Sequence, residues 1–530
     1  SNVPRWMTVE TPAGPVRALP AGRTQPFWLR VGIASNAAPG VYRGALEFVV
    51  DGQPAATREF RVVVLPFIPT NERFIWSLYY TPSLAVNGYD GFTPEEQAVV
   101  ARMERTYLRD LKRHGMNRVA GGSFRESYVK EQDGRWHFRP CSREALFLDL
   151  LREEGLAQLF TPLHGIESSG AILNDAMRSQ GLPPIESLSD RYRCQGVLPP
   201  AFFDNLESLV RDVRAFYRSR GDTAPAFFLW DEPGDVSSPA LAPLLDAVRR
   251  AGGRTHVTLV AGCFPALEGR VDNRDYNGIA MGIPGGGIES PERLLERKNK
   301  DGTINVVYQN STVMGADPRQ ARFCFGYWAW AWNLDGLNPY NYWKIHGDPL
   351  VGGAAFHPLH LDGPDRIAVG TIAWEMHAEG VYDNALVQML EAEAAARDGP
   401  AGDEARAFLA DLKAKSAVGF SAASDTMSSL TGAPIVSRDI WPACRYDRLR
   451  AELVRRLLAL RGEGTPAIRA EVEAVAREAG DREAAERARR RRGLPAVRSG
   501  NLVARGDAEG LPVGNAAPEG FRWKIGRASC

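Results

Sequence analysis

From residue 73 onward the chain alternates short apolar runs with longer helix-patterned stretches, and this rhythm constrains the fold more than any other feature. Residues 74–80, 117–120, 156–161, 226–230 and 256–260 read as strands, being short and rich in β-branched and aromatic residues. Helical patterns fill the gaps at 94–114, where Thr93 offers an N-cap, and at 142–154, 201–220 and 239–251. Residues 279–283, 304–308 and 323–333 continue the series as strands six, seven and eight. Alternation over about 300 residues predicts a parallel sheet with helical crossovers. Eight units in that length fit an α/β fold, the (β/α)8 TIM-type barrel.

The flanks read differently. Residues 1–69 carry strand patterns at 27–33, 41–50 and 59–65 with turns at 36–40 and 51–52, which suggests a small antiparallel β-sandwich. The expected organisation is a sandwich at 1–69, the barrel at 70–395, a helical region at 396–493 and a tail at 494–530. The basic run at 489–492 sits among glutamates and reads as a solvated helix end. Residues 501–510 (NLVARGDAEG) and 518–523 (PEGFRW) resemble the opening strand of a jelly-roll carbohydrate-binding module, with Ala508 where phenylalanine is usual. A plain tail is the other reading. The first residues resemble the middle of a domain, so a natural N-terminus is expected to precede them.

Composition removes several classes. With 64 basic and 64 acidic residues there is no charge bias towards nucleic acid or an anionic membrane. No apolar run approaches the ~18 residues of a membrane span. The six cysteines form no CxxC spacing, which argues against a disulfide framework or a cysteine zinc site. His357 and His360 lack an obvious third ligand, so no metal is expected. The glycine run at 282–287 (GIPGGG) has the wrong spacing for a dinucleotide loop. No cofactor is implied.

The chemistry is expected at Asp231 and Glu232. They follow AFFLW at 226–230, an all-apolar run of the kind a buried barrel strand shows. Acids at the C-terminal end of such a strand lie where barrel enzymes keep their active sites. Pro233 predicts an extended Glu232 and marks the strand end. Acids after a strand also cap helices, but Asp235 or Ser237 can take that task here.

Glycoside hydrolysis usually needs two carboxyls about 5–5.5 Å or roughly 6.5–9.5 Å apart. The end of strand seven, INVVYQNST at 304–312, holds no acid. An adjacent Asp–Glu pair instead suits a substrate whose own 2-acetamido oxygen is the nucleophile, with Asp231 holding the acetamide N–H and Glu232 serving as acid and base.

Three blocks resemble glycoside hydrolase family 123, the β-N-acetylgalactosaminidases: FWLRV at 27–31 with PGVYRG at 39–44; LWDEP at 229–233; and GYWAW at 326–330 through GPDR at 363–366 to EGVYDN at 379–384. The likeness spans about residues 20–395. It implies a barrel, β-linked N-acetylgalactosamine as substrate, the acetamido-orienting role for Asp231 and the acid/base role for Glu232. The sequence departs from the family at Val369 or Thr371 and at Ala378, where arginines are usual.

Further residues are candidate sugar contacts. Trp328, Trp330 and Trp332 would share one face of a strand and present an aromatic wall. Tyr79, Tyr80, His164, Tyr308 and Gln309 fall at expected strand ends. Two rivals remain open: a glycosidase whose protein nucleophile is Glu375 or Glu379 from a loop after strand eight, and a non-catalytic glycan-binding barrel. A glycan partner implies a secreted or periplasmic protein.

Overall fold

The computed structural model describes residues 31–34, 36–50, 53–70, 73–86, 88–122, 124–163, 171–181, 198–233, 238–259, 265–277, 289–308, 318–339, 342, 359–360, 368–369, 372–417, 441–492 and 522–525. The chain divides into two compact units. One joins Ser1–Asn71, Tyr382–Leu412 and Ile440–Cys530; the other joins Glu72–Val381 and Lys413–Asp439.

In the first unit, β1 (Gly40–Val50) and β2 (Gln53–Val64) form an antiparallel hairpin, paired from Gly40↔Val64 to Val50↔Gln53. The other edge of β1 carries a strand from the far end of the chain, Arg522–Ile525, with Leu46 opposite Ile525. The described residues thus show a three-stranded antiparallel sheet, with a strand inside the expected tail. Of the expected strand at 27–33, residues 27–30 lie outside the described residues and 31–33 have no regular structure. The helices Ala443–Arg461 and Pro466–Arg491 pack as a pair. Glu483 is buried between them and accepts from Arg445 and Arg448, both at 2.8 Å. Burial alone would raise its pKa, but the two guanidinium groups outweigh it and hold the carboxyl below the usual range.

The second unit is the barrel. Its strands are β3 (Ile75–Trp76), β4 (Arg118–Ala120), β7 (Ala157–Pro162), β8 (Ala226–Trp230), β9 (Thr255–Leu259), β10 (Asn273–Tyr276), β11 (Ile304–Val307) and β12 (Gly336–Leu337). A small hairpin of β5 (Tyr128–Lys130) and β6 (Trp136–Phe138) is inserted after β4. Every barrel pairing is parallel, in the order β3-β12-β11-β10-β9-β8-β7-β4. The ring closes through the parallel bridge Tyr79↔Ala120, with Tyr80 N–H donating to the Ala120 carbonyl at 2.9 Å. Closure leaves no sheet edge to be satisfied by water. Ala120, Phe160, Ala226 and Phe228 fill the interior, with Ile75 and Tyr79 packed against them.

The crossover helices follow the sequence pattern. Helix α1 (Pro94–Arg113) begins with a capping box: Glu96 N–H donates to Thr93 Oγ1, and Thr93 N–H to Glu96 Oε2. Helices α2 (Ser142–Glu153), α4 (Pro200–Ser219) and α5 (Ser238–Arg250) lie where expected; α3 (Ala171–Ser179) and α6 (Pro291–Asp301) add to them.

Two strand expectations are corrected. The sixth strand is β10, NRDY, rather than 279–283, which lie outside the described residues. Its Arg274 and Asp275 are buried, so no apolar run marks it. The stretch 323–333 is helical, not a strand: Pro318–Phe323 and Ala329–Ala331 flank a π-helical turn at Cys324–Trp328. The eighth strand follows at β12. The Trp/Ala alternation copies a strand's period, but this helix is buried on every side and needs no polar face.

At β12 the barrel closes tightly. A Cβ on Gly336 would lie 1.8 Å from the Ile75 carbonyl oxygen on β3. We expect Gly336→Ala to destabilise the protein by about 3 kcal/mol through forced separation of these strands; chemical denaturation measures it, and an unchanged midpoint would refute the close approach.

Tyr80 turns outward from β3's end and donates to Glu104 on α1 at 2.6 Å. Burial raises the Glu104 pKa from 4.5 to about 7, the Tyr80 bond opposing it. Because the folded value is raised, the associated stability is full below about 4.5 and is lost as pH rises through about 7. We expect Glu104→Gln to flatten the fall in melting temperature between pH 5 and 8; an identical slope in both proteins would remove Glu104 as its source.

Candidate active site

The arrangement starts from a defect in β8. Phe228 pairs with His256 on β9, yet the next registered pair is Trp230 with Val257, so Leu229 is an extra residue. A bulge of this kind switches the face that later residues present. Phe228 and His256 both face the interior, their rings 5.6 Å apart. Strict alternation from Phe228 would turn Asp231 outward; the bulge turns it inward, beside Thr258.

Thr258 is fully buried and joins both acids. Its hydroxyl donates to Asp231 Oδ1 at 2.8 Å and accepts from Glu232 N–H at 2.7 Å. Glu232 has φ +48°, in the left-handed region that non-glycine residues seldom occupy. This corrects the extended conformation expected before Pro233. Consecutive residues on an extended strand point to opposite faces; the left-handed turn instead sends the Glu232 side chain across the mouth towards β11. There it accepts from the Tyr308 hydroxyl through Oε1. Asn277, just past β10, donates to the same hydroxyl at 3.2 Å. Burial raises the Tyr308 pKa well above the usual phenol value, and the Glu232 charge adds to it, so the hydroxyl stays a donor.

Each acid is therefore anchored by one oxygen. Asp231 Oδ2 and Glu232 Oε2 have no partner among the described residues, and both residues are exposed at the mouth. Beneath them Asp275 is fully buried; Asn338 donates to its Oδ2 at 2.7 Å, and the His256 ring lies 3.4 Å from the same oxygen. Burial raises its pKa; His256 and Asn338 oppose this, while the Asp231 charge adds to it.

Of the expected site residues, the structure brings Asp231, Glu232 and Tyr308 together. His164 and Gln309 lie outside the described residues. Tyr80 points away, into the layer between barrel and α1. The aromatic wall is corrected: Trp328, Trp330 and Trp332 are buried, the Trp328 and Trp332 rings lie tilted to each other 5.8 Å apart, and Lys413 lies over Trp330. Glu375 is also corrected. It sits on the helix Ile372–Ala395 and pairs at 3.4 Å with His114, the residue that ends α1. Glu379 is on the same helix, not a loop. Sequence reading missed Thr258, Asn277, Asp275, His256 and Asn338. Their signal is polarity at strand positions that a barrel otherwise fills with apolar side chains.

The described residues contain no group of three or more potential metal ligands and no helix long and apolar enough to cross a membrane. The molecule is a TIM-type (β/α)8 barrel with an anchored carboxylate pair at the end of strand four. No protein-family model matches the chain, and no curated protein matches it. Among solved structures it is similar to a family 123 glycoside hydrolase from Clostridium perfringens, studied for glycolipid glycan hydrolysis. The identity is 12%, the TM-score 0.52, and the match covers 84% of this chain and 77% of that one. Endo-1,4-β-mannanases also match: that of Thermotoga petrophila RKU-1 at 14% identity and TM-score 0.36, over 59% of this chain and 99% of that one, and that of Rhizomucor miehei at 10% and 0.37, over 65% and 99%. At 12% identity the first likeness is one of fold.

We expect Tyr308→Phe to free the Glu232 side chain, which loses the one side-chain hydrogen bond that the described residues give it. A crystal structure of the variant measures this, and an unchanged Glu232 rotamer would separate Tyr308 from its placement.

Proposed function

We propose that this protein is a glycoside hydrolase acting on β-linked 2-acetamido-2-deoxy sugars, N-acetylgalactosamine first among them, by substrate-assisted catalysis with retention of configuration. The observation that carries the reading is the anchored pair: two adjacent acids sharing one mouth, each with one oxygen fixed and the other without a partner among the described residues. The neighbouring acid, Asp275, is buried and engaged by Asn338 and His256, which suits a layer beneath the site better than a nucleophile. Tyr308 occupies the end of strand seven, where a retaining enzyme of the common kind would carry its nucleophilic acid.

The reaction balances with these groups. The acetamido carbonyl oxygen attacks the anomeric carbon while the bond to the leaving oxygen breaks. Glu232 gives its proton to that oxygen through Oε2, and Asp231 Oδ2 accepts from the acetamide N–H, stabilising the oxazolinium charge. Water then attacks the anomeric carbon, Glu232 takes a proton from that water, and the bond between the anomeric carbon and the former acetamido oxygen breaks. Two inversions give net retention. A glycan substrate of this kind places the protein outside the cytoplasm, secreted or periplasmic.

Paired aryl β-glycosides, 2-acetamido against 2-hydroxy in the galacto and gluco series, test the proposal. Cleavage confined to the acetamido members is expected, with Glu232→Gln lowering kcat by about 10²–10⁴-fold on poor leaving groups. Cleavage of the 2-hydroxy member would require a protein nucleophile and overturn the mechanism. Full activity in Glu232→Gln would remove that residue from it.

A further inference from the structure

We infer that Thr258 is the positioning residue of this site: its buried hydroxyl both selects which oxygen of Asp231 works and holds Glu232 in the left-handed turn that brings the second acid into the mouth. The inference rests on the reading of the pair as hydrolytic, and it adds to that reading a residue that touches no substrate.

The directionality of one hydroxyl carries the argument. A threonine side chain has one proton and two lone pairs. Thr258 Oγ1 receives the Glu232 N–H at 2.7 Å, and an N–H cannot accept. Its proton is therefore directed to Asp231 Oδ1, at 2.8 Å. Oδ1 is held as an acceptor and is occupied; Oδ2 is left to meet the substrate's N–H. The same hydroxyl thus sets the rotamer of Asp231 and leaves it a single working oxygen.

The backbone half of the bond matters equally. A non-glycine residue at φ +48° is held against its own preference, and Pro233 restricts it further. If Thr258 lacked its hydroxyl, the Glu232 N–H would lose the one acceptor that the described residues give it. With the hydroxyl present, the strained turn is the state in which this amide is satisfied. Thr258 is 0% exposed, so water has no ready access to replace it. It reaches both partners because the extra residue at Leu229 sets Asp231 and Thr258 on the same face. A hydroxyl one register step away would meet neither.

The test is Thr258→Val, which keeps the shape and deletes the hydroxyl, with Thr258→Ser as the control that restores it. On an aryl 2-acetamido β-glycoside, Thr258→Val should lower kcat about 10- to 100-fold with KM changed less than threefold, and Thr258→Ser should recover to within about threefold of the parent. Combined with Asp231→Asn, Thr258→Val should lower kcat by clearly less than the product of the two single losses, because the Asp231 half of its effect is already gone and only the Glu232 half remains. Multiplying losses, or no rescue by serine, would reduce Thr258 to an ordinary core residue. A crystal structure of Thr258→Val gives a readout that needs no activity: Glu232 should leave positive φ or Asp231 should change rotamer. Both retained would overturn the inference. If the parent protein cleaves no glycoside, the functional reading fails on its own and the crystallographic result still decides the role of Thr258.

Discussion

One register irregularity governs the mouth of this barrel. Without the bulge at Leu229, strict alternation along β8 would face Trp230 inward and point Asp231 into the helical layer. With it, the strand presents Phe228 below and Asp231 above on the same face, three residues apart rather than two. The bulge loses part of the β8–β9 ladder, and the Thr258 hydroxyl takes up the polar groups set free there. Glu232 N–H would otherwise be an unpaired amide at the edge of a buried interior. Bulges recur next to active sites because they re-aim a side chain without moving the strand that carries it.

The polar layer beneath the pair is the second constraint. His256, Asp275 and Asn338 occupy positions that a barrel ordinarily fills with branched aliphatic side chains. Burying a carboxyl is costly unless it is hydrogen-bonded, and Asp275 has Asn338 at 2.7 Å and the His256 ring at 3.4 Å. Burial, with the charge of Asp231 above, raises the Asp275 pKa. Aromatic rings seal the layer from below, with Phe160 only 4.2 Å from the His256 ring.

How much of this was legible in the sequence follows from which signal each element carries. Helices with one wet face, such as α1 behind Thr93, were read to within a residue or two, because amphipathic period and cap chemistry are local. AFFLW followed by two acids marked strand four for the same reason. NRDY carried no strand signal, since it is polar and the partner of its Asp275, Asn338, is distant in sequence. The WAWAW stretch misled because period two and a fully buried helix both permit alternating large and small residues. Asp231 and Glu232 were visible as residue types. Their geometry was not, since a bulge and a positive φ at a glutamate before proline are set by β9 and β11 rather than by local preference.

Left-handed backbone at a non-glycine residue costs on the order of 1–3 kcal/mol, and it persists only where surrounding contacts over-determine it. Here two contacts from two strands converge on Glu232: the Thr258 hydroxyl on its amide and the Tyr308 hydroxyl on its carboxylate. Each comes from a residue at or beyond the C-terminal half of its strand, on a closed sheet in which no neighbour can slide independently. The rigidity of the closed barrel is thus what holds the strained turn, and the strained turn is what puts two adjacent acids on one mouth. An open sheet with the same residues would let β9 and β11 relax, and Glu232 would return to the extended conformation that its proline neighbour favours.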